Sequence, residues 1–285
     1  MTPYVQSRGH DWPFTVAAMF SPDYMALAER LKASLEQFGL NYALYQVPSI
    51  HRSISPRGSD DMQFCKPSFI EQMLTIHATP ILYLDADTVV RAPPDKITQI
   101  ANRGIDFAIY NWFADDATAA YVAVPFAGSN NRFYVFSYSV DLFDPQQLFA
   151  SGAVQFYTNN ARRLLRAWFA TINNHPNVAD DESLDYSFNI ALGGKGINAE
   201  WLTKDYCRCL FWPHVQPVID HPQLVDSTKR NFPHARFGAW RLWPQPGREL
   251  FERDLIFDSE TKNLLRMTAS GPTVVGTLTI PFFTS

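Results

Sequence analysis

What is scarce in this chain of 285 residues excludes several classes at once. Cysteine is nearly absent: Cys65, Cys207 and Cys209 are the whole set. Cys207 and Cys209 sit too close in the chain to pair well with each other. No disulfide framework is readable, and a reducing compartment is the expected setting. Charge is also sparse: Asp, Glu, Lys and Arg make up 18% of the residues, below the roughly 25% of an average soluble protein. With 24 basic and 28 acidic side chains the net charge is −4, so no basic excess advertises nucleic acid. No apolar run approaches the ~20 residues that span a bilayer. The most apolar stretch, TVVGTLTIPFF near the end, is short and broken by a proline. The start, MTPYVQSRGHDWPF, lacks a basic segment followed by an apolar one. No signal peptide is read there, and the expectation is a soluble cytoplasmic protein.

What is present suffices for a full core. Hydrophobic residues reach 46%, which excludes disorder as the dominant state. Aromatics reach 14%, with 22 Phe, 12 Tyr and 7 Trp, and most are expected to pack inside. The first half reads as strands alternating with helices. FTVAAMF (residues 14–20) is a short apolar run of the kind found in a buried parallel strand. Tyr24, Leu27, Ala28, Leu31, Leu35 and Phe38 then recur at helical spacing, and Gly39 closes that helix. NYALYQV is the second strand, and HRSISPRGSDDMQ, carrying Arg52 and Arg57, is a loop. Pro67 opens a second helix with Phe69, Ile70, Met73 and Leu74 as its buried stripe. Pro80 precedes a third strand, ILYL. Such units predict an α/β fold with a mostly parallel sheet.

Further along, DFAIYNWF, AYVAVPF, RFYVFSY and SGAVQFY read as strands. A helix follows from about Ala161, with Leu164, Leu165, Trp168, Phe169 and Ile172 on one face. Another runs from about Asp181 to Leu192 and stops at Gly193-Gly194. YCRCLFW and PVIDH read as late strands. No linker is evident, so residues 1–260 are expected to form one domain, its halves meeting near residue 100, with 261–285 as an appendage.

The sharpest chemical signal is ILYL followed by Asp85-Ala86-Asp87-Thr88. It places two carboxylates just past the end of an apolar strand, the end at which open α/β sheets bind ligands. Carboxylates so close repel one another unless a cation intervenes. Oxygen donors of this type suit Mg²⁺ or Mn²⁺. The plain alternative is a strand end with two solvated aspartates.

The string resembles the first motif of haloacid-dehalogenase-like phosphatases, in which the first Asp is a nucleophile and the second an acid/base. That motif normally lies on the first strand of its domain, whereas two β–α units precede it here. The string also resembles the metal-binding motif of nucleotide-sugar glycosyltransferases of the GT-A, Rossmann-like fold, and this resemblance is wider. It extends over MFSPDYMALAERLKASLEQFGLNYALYQVPS, KPSFIEQMLTIHATPILYLDADTVV, SGAVQFYTNNARRLLRAWFATINNHPNVADDESLDYSFN and DYCRCLFW with PVIDHPQ, in that order. These blocks are similar to bacterial and phage nucleotide-diphospho-sugar transferases. Two features depart from the family: Asp180-Asp181-Glu182 replaces a frequent Asp-Gln, and residues 113–129 have no recognisable counterpart.

The resemblance implies a metal-dependent glycosyltransferase that moves a sugar, leaning toward retention of configuration, from a nucleoside diphosphate sugar, a UDP-sugar first. The acceptor is left open among a glycan, a protein, a small molecule and a modified nucleic acid. Asp85, Asp87 and His221 would hold Mn²⁺ or Mg²⁺, with Asp85 reaching the ribose as an alternative. Phe20 and Ser21 would meet the base and ribose, with core packing as the plain alternative for Phe20. Lys66 would meet the diphosphate, with a solvated helix start as its alternative, and the Gly152 backbone would meet the sugar. Asp181 and Glu182 would serve the transfer step, against the plain alternative of helix capping. Trp201, Trp212, Trp240 and Trp243 would floor an acceptor site or simply pack. A catalytically silent nucleotide-sugar or glycan-binding module on the same fold is the non-enzymatic alternative.

Overall fold

The computed structural model describes residues 2–9, 11–48, 64–111, 148, 150–174, 180–206 and 216–221, together with the strands at 132–135, 138–141, 237–239, 255–258, 263–268 and 271–277. In chain order the elements begin β1 (Val5–Ser7), β2 (Thr15–Phe20), α1 (Met25–Gln37), β3 (Tyr42–Gln46), α2 (Lys66–His77), β4 (Ile81–Leu84) and β5 (Val89–Val90). Next come α3 (Asp95–Asn102), β6 (Phe107–Asn111), β7 (Arg132–Val135), β8 (Tyr138–Asp141) and β9 (Ala150–Tyr157). They are followed by α4 (Arg162–Asn174), α5 (Asp180–Tyr186), β10 (Ala199–Leu202) and β11 (Ile219–Asp220). The last strands are β12 (Phe237–Ala239), β13 (Leu255–Asp258), β14 (Asn263–Thr268) and β15 (Gly271–Thr277).

Seven strands form the central sheet in the order β1-β3-β2-β4-β9-β6-β10. β3, β2 and β4 are parallel, as are β6 and β10. β9 lies antiparallel between β4 and β6, so all five of those strands run in one sense, and β1 adds an antiparallel edge. The expected α/β architecture, a mostly parallel sheet flanked by helices, is what the chain adopts.

Both faces of this sheet are covered, which explains why its strands read as unbroken apolar runs. Val16, Ala18 and Phe20 of β2 pack with Ala28, Leu31 and Leu35 of α1 and with Ile97 and Ile100 of α3. Ala17 and Met19 point the other way, toward Phe69, Ile70, Met73 and Leu74 of α2 and Leu164, Leu165 and Trp168 of α4. Each of the larger of these side chains contributes about 1.5–3 kcal/mol by leaving water, and each alanine methyl about 0.8 kcal/mol. Gly39 adopts φ 59° just beyond α1, where a side chain would be strained.

Several expectations are corrected. Phe169, placed on the buried face of α4, is 47% exposed; Thr171 fills that stripe and Phe169 lies just beyond its edge. α3 was not anticipated, because only Ile97 and Ile100 mark its inner face. The helix after residue 180 widens into a π-turn at Ser187–Ala191. Tyr206 ends a short helical turn and does not begin a strand, and only Ile219–Asp220 of PVIDH is extended. AYVAVPF lies outside the described residues, and RFYVFSY divides into the paired strands β7 and β8. Apart from these corrections, β12–β15 form a four-stranded antiparallel sheet. No described helix is long and apolar enough to cross a membrane.

Two features of topology position the site. From β2 the chain passes to β3 on one side, then returns to place β4 on the other. The order reverses at β2/β4, and the carboxyl ends of these two strands form the switch point where α/β sheets take ligands. β9 starts beside the end of β6, with Asn111 opposite Ala150, and its register jumps between Ile109 and Tyr110. On the other edge of β9 the β4 ladder continues one rung further, with the Asp85 amide donating to the Ala153 carbonyl at 2.9 Å.

Candidate active site

The turn after β4 is pinned from several directions. The Thr88 amide and hydroxyl both donate to the Asp85 carbonyl, at 3.0 and 2.8 Å. Arg30 of α1 donates to the Asp87 carbonyl at 3.0 Å. Ser34, one turn further along α1, accepts from the Val90 amide at 3.1 Å. Four long-range or local bonds thus fix where the two carboxylates project.

Those carboxylates have different partners. The Tyr83 hydroxyl donates to Asp85 Oδ1 at 2.9 Å. Lys66, the first residue of α2, places its Nζ 3.1 Å from the same oxygen and donates to Oδ2 at 3.3 Å. The Lys66 ammonium also lies 5.7 Å from the centre of the Tyr83 ring, within cation–π range. Asp87 instead faces His221, with 2.8 Å between Oδ2 and Nε2. This is a close contact outside hydrogen-bonding alignment, since Nε2 is buried and makes no aligned hydrogen bond.

His221 arrives through the short ribbon of β5 and β11. Val90 pairs with Ile219 and Val89 with Asp220. The Arg91 amide donates to the Val218 carbonyl at 2.8 Å, and the Val218 amide to the Asp205 carbonyl at 2.8 Å. Arg91 Nε donates to Asp220 Oδ2 at 3.3 Å, and Asp220 is 1% exposed. Burial works against charge on both members of the Asp87–His221 pair, pushing the carboxyl up and the imidazole down. The contact between them prevails: Asp87 ends below the ordinary carboxylate range and His221 above the ordinary imidazole value. Asp85 adds to the rise in His221, and Lys66 to the fall in Asp87.

The other expected positions separate. Phe20 does not offer a ring face to a base, because its ring is 1% exposed and packs edge-on against Tyr4 at 5.5 Å. Its side chain belongs to the α1 core by strand alternation. Ser21 follows at the rim, buried, with no hydrogen-bond partner for its hydroxyl among the described residues. Gly152 lies in the β9 bulge, where its carbonyl accepts from Gln155 at 2.7 Å. Asp181 and Glu182 fall in the first turn of α5, and their side chains lie outside the described residues, as do Arg52, Arg57, Trp212, Trp240 and Trp243. Trp201 packs edge-on against Phe188 at 5.8 Å.

Residues that sequence reasoning passed over include Tyr83, Arg30, Arg91 and Asp220. Asp185 belongs with them: it is 2% exposed and accepts from the Ala150 amide at 2.8 Å. A carboxylate flanked by buried Leu184 and Phe188 was the available signal.

Among the described residues, no three carboxylate, imidazole or thiol groups gather as a cation site. Of the expected trio, Asp87 and His221 are in contact, while Asp85 faces Lys66 and Tyr83. The pair itself fits a divalent cation: a carboxylate oxygen and a buried imidazole nitrogen lie 2.8 Å apart without an aligned hydrogen bond. Such a donor set suits Mn²⁺ better than Mg²⁺, which strongly prefers oxygen.

No family model matches the chain, and no curated protein matches it in sequence. The solved structures to which it is similar include a glycosyltransferase involved in glycosylation of the major capsid of PBCV-1. That likeness has 13% identity, 67% of this chain and 82% of that one covered, and a TM-score of 0.43. For the galactosyltransferase LgtC in complex with donor and acceptor sugar analogues, the values are 10%, 67%, 74% and 0.42. For the glycosyltransferase GlyE of Streptococcus pneumoniae they are 14%, 77%, 49% and 0.40, so this chain spans about half of GlyE.

Proposed function

We propose that this protein is a metal-dependent glycosyltransferase that takes a sugar from a nucleoside diphosphate sugar, a UDP-sugar foremost, and passes it to an acceptor hydroxyl. The observation that carries the reading is the meeting of Asp87 with His221 at 2.8 Å, beside a charge-balanced Asp85, at the switch point of the sheet. Asp87 and His221 would hold a divalent cation, which when bound supplies charge neutralisation to a departing diphosphate. Asp85, oriented by Tyr83 and Lys66, is a fixed acceptor for a ribose hydroxyl. Lys66 brings a second positive charge to the region where the diphosphate charge develops. Ser21, at the end of β2, is assigned to the nucleoside. Gly152, on the bulged strand, leaves room for the sugar to approach the backbone. Asp181 and Glu182, opening α5 on the acceptor-side half, are assigned to the transfer step.

The phosphatase alternative requires the aspartate pair on the first strand of its domain. Here the pair follows the third parallel strand in chain order, and Asp85 is engaged by Lys66 and Tyr83. The test is calorimetric titration of UDP into the protein with and without Mn²⁺, repeated on Asp87→Asn. The expected outcome is Mn²⁺-dependent binding, weakened at least about tenfold in the variant, with slow release of UDP from a UDP-sugar in water. Equal affinity of wild type and variant in Mn²⁺ refutes the reading. Binding without turnover reassigns the chain as a silent binding module.

A further inference from the structure

His221 reaches Asp87 by a minimal device. Its strand contributes two residues to a two-stranded ribbon, and a ladder that short is marginal on its own. Something else must hold the imidazole to the position of Asp87. The residue next to His221, Asp220, is almost wholly buried, and its carboxylate is met by Arg91, the residue that follows β5. Arg91 is held on the same ribbon through its own amide, which donates to Val218. Arg91 and Asp220 are therefore diagonal neighbours across the ribbon, a placement that a long side chain can bridge. Half of the Arg91 side chain stays in solvent. Burying a carboxylate is costly without a compensating cation. One ion pair of this kind on a two-residue ladder selects its register and the direction in which the next residue, His221, projects.

We infer that Arg91 and Asp220 are positioning residues for His221 and that their ion pair sets the preference of the site for Mn²⁺ over Mg²⁺. This rests on the reading of Asp87 and His221 as metal ligands. If the ion pair aims the imidazole, weakening it costs the nitrogen ligand and leaves the Asp87 oxygen in place. Affinity for Mn²⁺ then falls, while affinity for Mg²⁺, which draws little from nitrogen, falls much less. A general loosening of the turn would lower both alike.

Arg91→Gln is the informative variant, because the side chain is half exposed and its loss should not prevent folding. Mn²⁺ and Mg²⁺ are titrated calorimetrically, without nucleotide, into wild type, Arg91→Gln, Arg91→Lys and Asp220→Asn, and melting temperatures are taken in chelator. The expected result for Arg91→Gln is a rise of roughly tenfold in the Mn²⁺ dissociation constant and a change of about twofold or less for Mg²⁺. Arg91→Lys should recover part of the loss, and Asp220→Asn should follow Arg91→Gln. An unchanged Mn²⁺ constant in Arg91→Gln, or equal losses for the two ions, overturns the inference and leaves the glycosyltransferase reading standing. A wild type that binds no Mn²⁺ overturns the metal assignment and this inference together.

Discussion

Replacing Lys66 by Met tests how much the ion pair between Lys66 and Asp85 contributes to stability. Lys66 is 7% exposed, and its Nζ lies 3.1 Å from Asp85 Oδ1. At an effective dielectric of about 20, two unit charges at that separation attract by roughly 5 kcal/mol. Most of this is offset by the cost of taking the ammonium out of water, a cost that Met does not carry. Asp85 is a quarter exposed on its side chain and keeps its hydrogen bond from Tyr83, so solvent screening reduces the loss further. The net destabilisation expected for Lys66→Met is about 2 kcal/mol. The signature is non-additivity. Asp85→Asn removes the charge that Lys66 compensates, so Lys66→Met should cost little in that background, giving a coupling energy of about 1–2 kcal/mol. Urea unfolding in chelator, followed by tryptophan fluorescence and by circular dichroism, measures all four corners of the cycle, with a constant slope as the check on two-state behaviour. A coupling energy below about 0.5 kcal/mol, within the additivity of independent sites, would refute the reasoning.

Two further predictions concern the acceptor side and the alkaline limit of stability. Asp181→Asn and Glu182→Gln should each lower donor hydrolysis at saturating sugar nucleotide by at least about tenfold, leaving donor affinity unchanged, as expected when an interaction exists only in the transition state. A capping role would instead cost about 1 kcal/mol of stability at wild-type turnover, and that pattern in both variants would remove the catalytic assignment. Burial raises the Tyr42 and Tyr206 phenols to about 12, with the Glu36 carboxylate adding to the rise of Tyr42. The folded state therefore favours the neutral phenol, and this contribution is complete below the unfolded value near 10 and is lost as pH rises toward 12. Melting temperature should fall across that window, by a smaller amount in Tyr42→Phe, and an identical profile in the variant would contradict the burial argument.

Much of the first hundred residues was legible because its physics is local. FTVAAMF and ILYL are buried on both faces, so their composition alone marks them as central parallel strands. Gly39 marked a helix end through its positive φ. α3 escaped notice because two buried isoleucines in eight residues carry little periodicity. Asp85 and Asp87 were legible as a pair at a strand end, but their separate partners were not. Tyr83 looked like core, and Arg30 acts on a carbonyl 57 positions away. His221 was reachable only through family resemblance, since a lone histidine has no spacing to betray it. Its supports, Arg91 and Asp220, are joined across 129 positions, a relation that only the fold creates. Phe20 takes the packing alternative for the converse reason: an aromatic at a strand end looks available until the alternation of the strand turns it inward.

The pairing of Asn111 with Ala150 has a consequence for how such a protein diversifies. The chain leaves the sheet at one rung of the ladder and re-enters at that same rung, on the neighbouring strand. The two ends of the intervening segment, Asn111 and Ala150, are held together by the sheet. For closed loops in general each doubling of length costs only about 0.6 kcal/mol, and neither β4 nor its aspartates need move to accommodate a longer segment here. The junction is therefore a place where sequence can be inserted or exchanged while Asp85 and Asp87, beyond the adjoining β4, keep their positions.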